Sequence, residues 1–333
     1  MKAFVTGSTG LLGSNLIRLL VQQGYTVRAL VRSLPKGKAL LGDLDGIEFV
    51  EGDLQDVPAF APALRGCDTL FHAGAYFREY YGLGNHWPKL QRINVQGTLE
   101  LLEAAEQAGI QKVIYVSSSG CIGRKPDGSP GDETTLPGPL SYSNLYFKSK
   151  VAAEDAIASF LQTHHLPVVL ILPGGMVGPA DTGPTELGKL VLDYLNRKLP
   201  ALLDGGLPIV DVRDVAVGML AAVERGQSGE RYLIGGQYFP LITIMQTLET
   251  VSGIPAPKNK LPALLMRLLA LLSTGIGILT GRKPDIPIEG VNFLLAKLAY
   301  DSTKAQRVLG IQFRPLDQTL KDTVSWYREQ RFV

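Results

Sequence analysis

A chain of 333 residues, 45% hydrophobic and 19% charged, carries enough apolar material for one enlarged domain or a main domain with a smaller lobe. Its formal net charge of +2 supplies no field strong enough to hold a nucleic-acid backbone. Two cysteines and four scattered histidines make no metal-ligand spacing, so a reduced, cytoplasmic protein without a metal centre is expected.

The chain starts on an apolar strand, Ala3–Thr6, so no targeting extension is expected. The strand runs into Gly7-Ser-Thr9-Gly10-Leu11-Leu12-Gly13 and then a helix over 13–23. Glycines at this spacing between strand and helix suit a tight turn, close approach of backbone to a pyrophosphate, and close packing of helix on strand. The helix N-terminus offers unpaired N–H groups to the anion. Further strands are predicted at Thr26–Val31, Glu48–Val50, Thr69–His72, Lys112–Ser117 and Val168–Leu172, with helices at Asn94–Ala108 and Ser141–Thr163. That rhythm predicts an α/β fold with a doubly wound parallel sheet flanked by helices, mainly within 1–173.

After Pro173 the rhythm loosens. Helices are predicted at Glu186–Leu195, Val215–Glu224 and about Leu320–Arg328, within a smaller α/β substrate lobe, 174–333, interleaved with strands returning to the main sheet. The most apolar segment is Leu261–Leu279. Pro262, Arg267 and two glycines argue against an integral membrane span, so a buried or half-buried helix is expected, with a membrane-surface or apolar-substrate role as the alternative.

Arg32 ends the second strand, where the adenosine ribose of a dinucleotide would lie. A carboxylate there favours NAD; an arginine, with Lys36 and Lys38 behind it, favours the 2′-phosphate of NADP. NADP is therefore expected in preference to NAD, against the alternative of a solvated basic loop. Asp53, before Leu54, can accept from an adenine amino group, and Ala73 and Ala75 are small enough for close cofactor approach.

Tyr146 and Lys150 stand one helical turn apart and share a face. A free phenol, with a pKa near 10, transfers protons poorly at neutrality, and an adjacent ammonium favours its ionised form. A hydroxyl at the end of the strand 112–117 would stabilise a developing alkoxide; Ser117, Ser118 and Ser119 all compete for this place.

Taken in order, TGSTGLLG, Gly52-Asp53-Leu54, Phe71–Ala75, Asn94, Tyr115–Gly120, Tyr146-x-x-x-Lys150 and Pro173–Pro179 resemble the extended short-chain dehydrogenase/reductase family over nearly the whole chain. Within it the chain looks like dihydroflavonol-reductase-like and hopanoid-associated sugar-epimerase-like proteins. The resemblance implies a Rossmann fold, selects Ser119 among the serines, makes Tyr146 and Lys150 catalytic, and gives Asn94 a structural or proton-relay role. It also places Pro173, Gly174 and Met176 beside the nicotinamide and makes Arg213 a candidate substrate ligand, with a helix-terminal salt bridge as the alternative.

The expected reaction is reduction of a ketone or aldehyde, with a bulky hydrophobic or dihydroflavonol-like substrate preferred and Tyr146 donating the proton. The alternatives are a sugar epimerase or dehydratase and a non-catalytic nucleotide sensor. Substrate contacts are expected from Phe77–Trp87, Gly123–Leu140, Gly174–Leu187 and Leu261–Leu279. A small-molecule carbonyl or alcohol is the expected partner, and monomer and homodimer both remain open.

Overall fold

In the computed structural model, which describes residues 1–77, 84–199, 201–280, 284 and 288–333, the apolar runs of the first half become neighbouring parallel strands. In chain order the elements are β1 (Lys2–Thr6), α1 (Leu11–Gln22), β2 (Thr26–Val31), α2 (Leu34–Leu41), β3 (Ile47–Glu51), α3 (Val57–Phe60), β4 (Thr69–His72), α4 (Trp87–Leu90), α5 (Gly97–Gln107), β5 (Lys112–Val116), α6 (Pro139–Ser143), α7 (Leu145–Phe160) and β6 (Val168–Pro173). There follow β7 (Gly175–Val177), α8 (Glu186–Leu195), β8 (Leu202–Leu203), β9 (Gly206–Asp211), α9 (Val212–Arg225), β10 (Arg231–Ile234), β11 (Gln237–Pro240), α10 (Leu241–Ser252), β12 (Lys260–Leu261), α11 (Ala263–Thr280), α12 (Ile288–Ala296), α13 (Thr303–Leu309) and α14 (Leu316–Glu329).

Seven strands form one parallel sheet in the order β10-β6-β5-β4-β1-β2-β3. All six residues of β6 are buried, as a strand covered by helices on both faces requires. The smaller lobe has its own apolar core, around Tyr194, Ile209, Met245 and Tyr327, and a second sheet, β11-β9-β7. β10 returns from the later half of the chain to the edge of the main sheet, beside β6.

Strand order reverses between β1 and β4, which opens a crevice at their C-terminal ends. A buried chain of hydrogen bonds fixes this edge. Gly74 N–H donates to Thr6 Oγ1 (3.0 Å), and Thr98 Oγ1 donates to the Asn94 carbonyl (2.8 Å). Because Thr98 has one proton and has given it away, its 3.1 Å contact to His72 Nε2 makes that nitrogen the N–H donor. His72 Nδ1 then accepts from Thr6 Oγ1 (2.7 Å). The imidazole is neutral, its pKa lowered to about 3 by burial and, secondarily, by the Lys150 charge.

Three expectations change. The helix over 141–163 is two helices, because Asn144 leaves the helical conformation (φ −92°, ψ 113°) and its side chain caps α7 through Phe147 N (3.0 Å). The start of the helix over 94–108 is instead a π-helical turn, Gln91–Gln96, which leads into α5. The apolar segment after Leu261 does form a helix, α11, but it is mostly exposed: only Ala270 and Gly277 are buried.

His72 must stay neutral in the fold yet protonates below 6.5 once unfolded, so stability falls as pH drops from 6.5 toward 3. Chemical denaturation across that window should show a steeper acid loss in the wild type than in His72→Gln; equal slopes would contradict the assigned network.

Candidate active site

The glycine turn leaves β1 with Gly7 in the left-handed region (φ +71°), where a Cβ would meet the Ala73 carbonyl carbon and Gly74 N at 2.7 Å. A Cβ on Gly13 would stand 2.1 Å from the Gly7 carbonyl oxygen. Gly10 caps α1 without a side chain of its own, so the first N–H groups of the helix face the crevice unobstructed. The loop is thus bare backbone packed to contact distance, a cradle suited to a dinucleotide pyrophosphate. Thr9 lies in the turn, and Leu11 and Leu12 are buried in the first turn of α1.

Parallel register brings the other motifs to the same edge, with Thr6 opposite His72, His72 opposite Tyr115, and Val116 opposite Ile171. Ala73 and Ala75 follow β4 half-buried; Pro173 ends β6; Gly174 lies where a Cβ would strike the Gly235 carbonyl at 2.1 Å. Met176, on β7, packs against the core cluster that contains Leu11 and Leu12. Asn15 Nδ2 donates to the Pro179 carbonyl (2.9 Å) and so ties this segment to α1. Asp53 follows β3 and accepts from Gln55 N (2.9 Å), while Leu54 is buried beside Gly74.

Lys150 is buried on α7. Its Nζ donates to the Val116 carbonyl (2.7 Å) and the Tyr115 hydroxyl (3.2 Å), and stands 5.9 Å from the centre of the Tyr146 ring. Burial lowers its pKa to about 8, with Cys121 and Glu154 opposing that shift. Both phenols move the other way. Burial raises Tyr115 far above 10, and Tyr146 is also raised by burial, with Cys121 adding to it. The short bonds of the ammonium go to β5, and loss of solvent keeps the Tyr146 phenol protonated, the form that a proton donor requires.

The serines separate by what they bond. Ser117 donates to Glu154, and Ser118 Oγ accepts from Gly120 N (3.1 Å) as the cap of a short turn. Ser119 is buried near Tyr300, whose phenol is pushed up to about 12 by burial, with the Ser119 hydroxyl opposing. Asn94 is fully engaged: its amide donates to Ser149 Oγ (2.9 Å) and the Tyr76 carbonyl (3.1 Å), and its oxygen accepts from Tyr76 N (2.8 Å). Ser149 in turn donates to the Tyr146 carbonyl (2.7 Å), so Asn94 anchors the helical turn that carries Tyr146. Aromatic rings wall that tyrosine: Phe77 lies edge-on at 4.6 Å, Phe147 at 5.8 Å, and Phe293 of α12 at 6.0 Å from Phe147.

Sequence reasoning missed Tyr115 and Glu154. Tyr115 sits in β5 two residues before the serine run, and Glu154 one turn beyond Lys150, paired with Arg231 at 3.1 Å. Period-two and period-four spacing from the motif residues was the signal available for both. Arg213 belongs to its salt-bridge reading. It bonds Asp211 (2.6 Å) and Asp322 (2.7 Å), and Asp211 also accepts from Thr319 (2.9 Å), which joins β9, α9 and α14. Arg78, Tyr80 and Tyr81 of the expected aromatic substrate segment lie outside the described residues.

The profile of the NAD dependent epimerase/dehydratase family matches residues 3–235. A putative dihydroflavonol 4-reductase of Synechocystis is 36% identical over 99% of this chain and 95% of its own length. The sterol demethylase protein B of Methylococcus capsulatus is 32% identical over all of both chains. Among solved structures, a UDP-glucuronic acid 4-epimerase mutant of Bacillus cereus in complex with NAD has a TM-score of 0.79 at 21% identity, covering 99% of this chain and 100% of that one.

The expectation of NADP is contradicted. Structures of that epimerase, alike over the full length, hold NAD. Here Arg32, Lys36 and Lys38 are exposed, the latter two on α2.

Gly13→Ala should weaken NAD binding at least tenfold and destabilise the fold by about 1–3 kcal/mol through overpacking; calorimetric titration and thermal melting check both. Lys150 releases its proton near pH 8 when folded but only near 10.5 when unfolded, so its contribution to stability rises with pH across that window. Lys150→Met should melt higher than wild type at pH 7 and lose that slope, while activity collapses.

Proposed function

Because the chain belongs to the NAD dependent epimerase/dehydratase family, and so is an NAD(P)-dependent enzyme of the oxidoreductase and epimerase kind, we propose that it interconverts a secondary alcohol and its carbonyl with NAD, Tyr146 carrying the substrate proton. The observation that carries this reading is the meeting of the bare glycine cradle with Ser119, Tyr146 and the buried Lys150 at one sheet edge. Residues 174–333 are assigned mainly to substrate binding and 1–173 mainly to the dinucleotide. The two free cysteines, Cys67 and Cys121, both buried, fit a cytoplasmic setting.

When bound, NAD supplies the hydride acceptor, and its reduced form the donor. The glycine turn and α1 would hold the pyrophosphate, Asp53 the adenine, and Pro173, Gly174 and Met176 the nicotinamide side. Ser119 positions the substrate oxygen. A phenol kept neutral by burial is a proton source, so Tyr146 gives its proton to the oxygen as alkoxide character develops, and takes it back in the oxidative direction. Lys150, cationic below about pH 8, is the charge that offsets the phenolate then left behind. Asn94 and Ser149 keep the Tyr146 turn in place.

Two outcomes share this step. In the epimerase or dehydratase outcome the carbon is oxidised and later reduced again within one cycle, with no net cofactor consumption; the family match favours it. Net reduction of a carbonyl is the second reading, supported by the name of the Synechocystis relative. In either, the aromatic wall of Phe77, Phe147 and Phe293 supports a substrate with an apolar, ring-bearing portion near the reacting carbon.

Tyr146→Phe should lower kcat by roughly 10²–10⁴-fold with NAD affinity retained. Tyr115→Phe should cost less than tenfold, since its hydroxyl supports Lys150 rather than the substrate. Isotope exchange with deuterated substrate, read together with the net change in NADH absorbance, separates the two outcomes. A larger loss in Tyr115→Phe than in Tyr146→Phe would transfer the proton-carrying role to Tyr115.

A further inference from the structure

α11 is an 18-residue helix of mean hydropathy 1.9 with only 11% of its residues buried. One face holds it to the protein: Ala270 and Gly277 are buried, Ala263 and Met266 are half-buried against the lobe core, and α12 packs alongside. The opposite face is bare, with Leu264 72%, Leu268 50%, Leu271 57%, Leu272 64%, Ile278 65% and Leu279 88% exposed. An apolar surface of this length and continuity on a single chain marks an interaction face.

Charge and side-chain type identify the occupant. From Thr250 to Pro284 the sequence has no aspartate or glutamate but five cations: Lys258, Lys260, Arg267, Arg282 and Lys283. Arg267 is exposed among the leucines, where its long stem can lie along apolar surface while the guanidinium reaches the polar layer. Residues 261–280 contain no tryptophan, tyrosine or phenylalanine, the side chains in which protein–protein interfaces are enriched. Leucine and isoleucine in a stretch of sequence whose charges are all positive match the acyl boundary and the anionic headgroups of a bilayer. Because its inner face is already packed on the lobe, α11 on a bilayer would lie along the surface rather than cross it.

We propose that α11 seats this enzyme on an anionic bilayer, its leucine face in the acyl boundary and Arg267 among the headgroup phosphates. The same region borders the candidate site, since α12, packed against α11, carries the Phe293 ring that meets Phe147 beside Tyr146. Docking through α11 therefore sets the aromatic wall of the site close to the bilayer. The docking does not depend on the reaction proposed above.

The test is flotation of the purified full chain with vesicles of phosphatidylcholine alone and of equal parts phosphatidylcholine and phosphatidylglycerol, with light scattering for oligomeric state. Wild type should float with the mixed vesicles. Leu268→Glu/Leu272→Glu, at exposed positions, should bind roughly tenfold or more weakly, with unchanged melting and NAD affinity. Arg267→Glu should remove part of the preference for phosphatidylglycerol. Failure of the wild type to bind, or equal binding by the leucine variant, would overturn the proposal. So would a dimer that the leucine variant dissolves without vesicle binding, which would assign the face to a second copy of the chain.

Discussion

A lysine ammonium sealed inside the protein, with a carbonyl and a phenol as its short-range partners, is the interaction around which this site is arranged. Burial disfavours the charge, which is why the Lys150 pKa falls to about 8. The surroundings hold it in place all the same. β5 turns the Val116 carbonyl and the Tyr115 hydroxyl toward it, and α7 carries Lys150, Tyr146 and Glu154 on successive turns. Glu154 is itself kept in place by Ser117 and Arg231. A fold gains nothing in stability from such a charge, so its retention points to chemistry.

The same edge of the sheet carries the other half of the machinery. At the β1/β4 reversal, Thr6, neutral His72 and Thr98 lock the strand ends together, and the glycine turn closes down on Ala73 and Gly74. The His72 pKa is lowered chiefly by burial and secondarily by the Lys150 charge. The lobe brings Phe293 against Phe147 beside Tyr146, and its outer surface, α11, is apolar.

The fold was legible because a parallel sheet covered on both faces leaves uninterrupted apolar runs in sequence, and glycine spacing survives only where backbone must approach backbone. The roles proposed for Tyr146 and Lys150 rest on spacing and resemblance, and that of Ser119 on resemblance alone. Tyr115 was not, because a tyrosine in a buried strand reads as core until the helix opposite is placed. The helix break at Asn144 was hidden because asparagine is tolerated in a helical pattern and acts as a cap only when its side chain reaches Phe147 N. Arg32, Lys36 and Lys38 misled because a basic run after β2 has one sequence signature whether it meets phosphate or water. The exposure of α11 was likewise invisible, since hydropathy measures how apolar a helix is and not what covers it.

The most direct test of this account is the titration of the Lys150 ammonium itself, followed by NMR of isotopically labelled lysine with Lys150→Met as the assignment control. The account predicts that Lys150 loses its proton near pH 8, with a signal that moves in Tyr115→Phe. A Lys150 that titrates near 10.4, the ordinary value of a free lysine, would mean that the ammonium is solvated, and would contradict the buried Tyr–Lys arrangement on which the proposed chemistry stands.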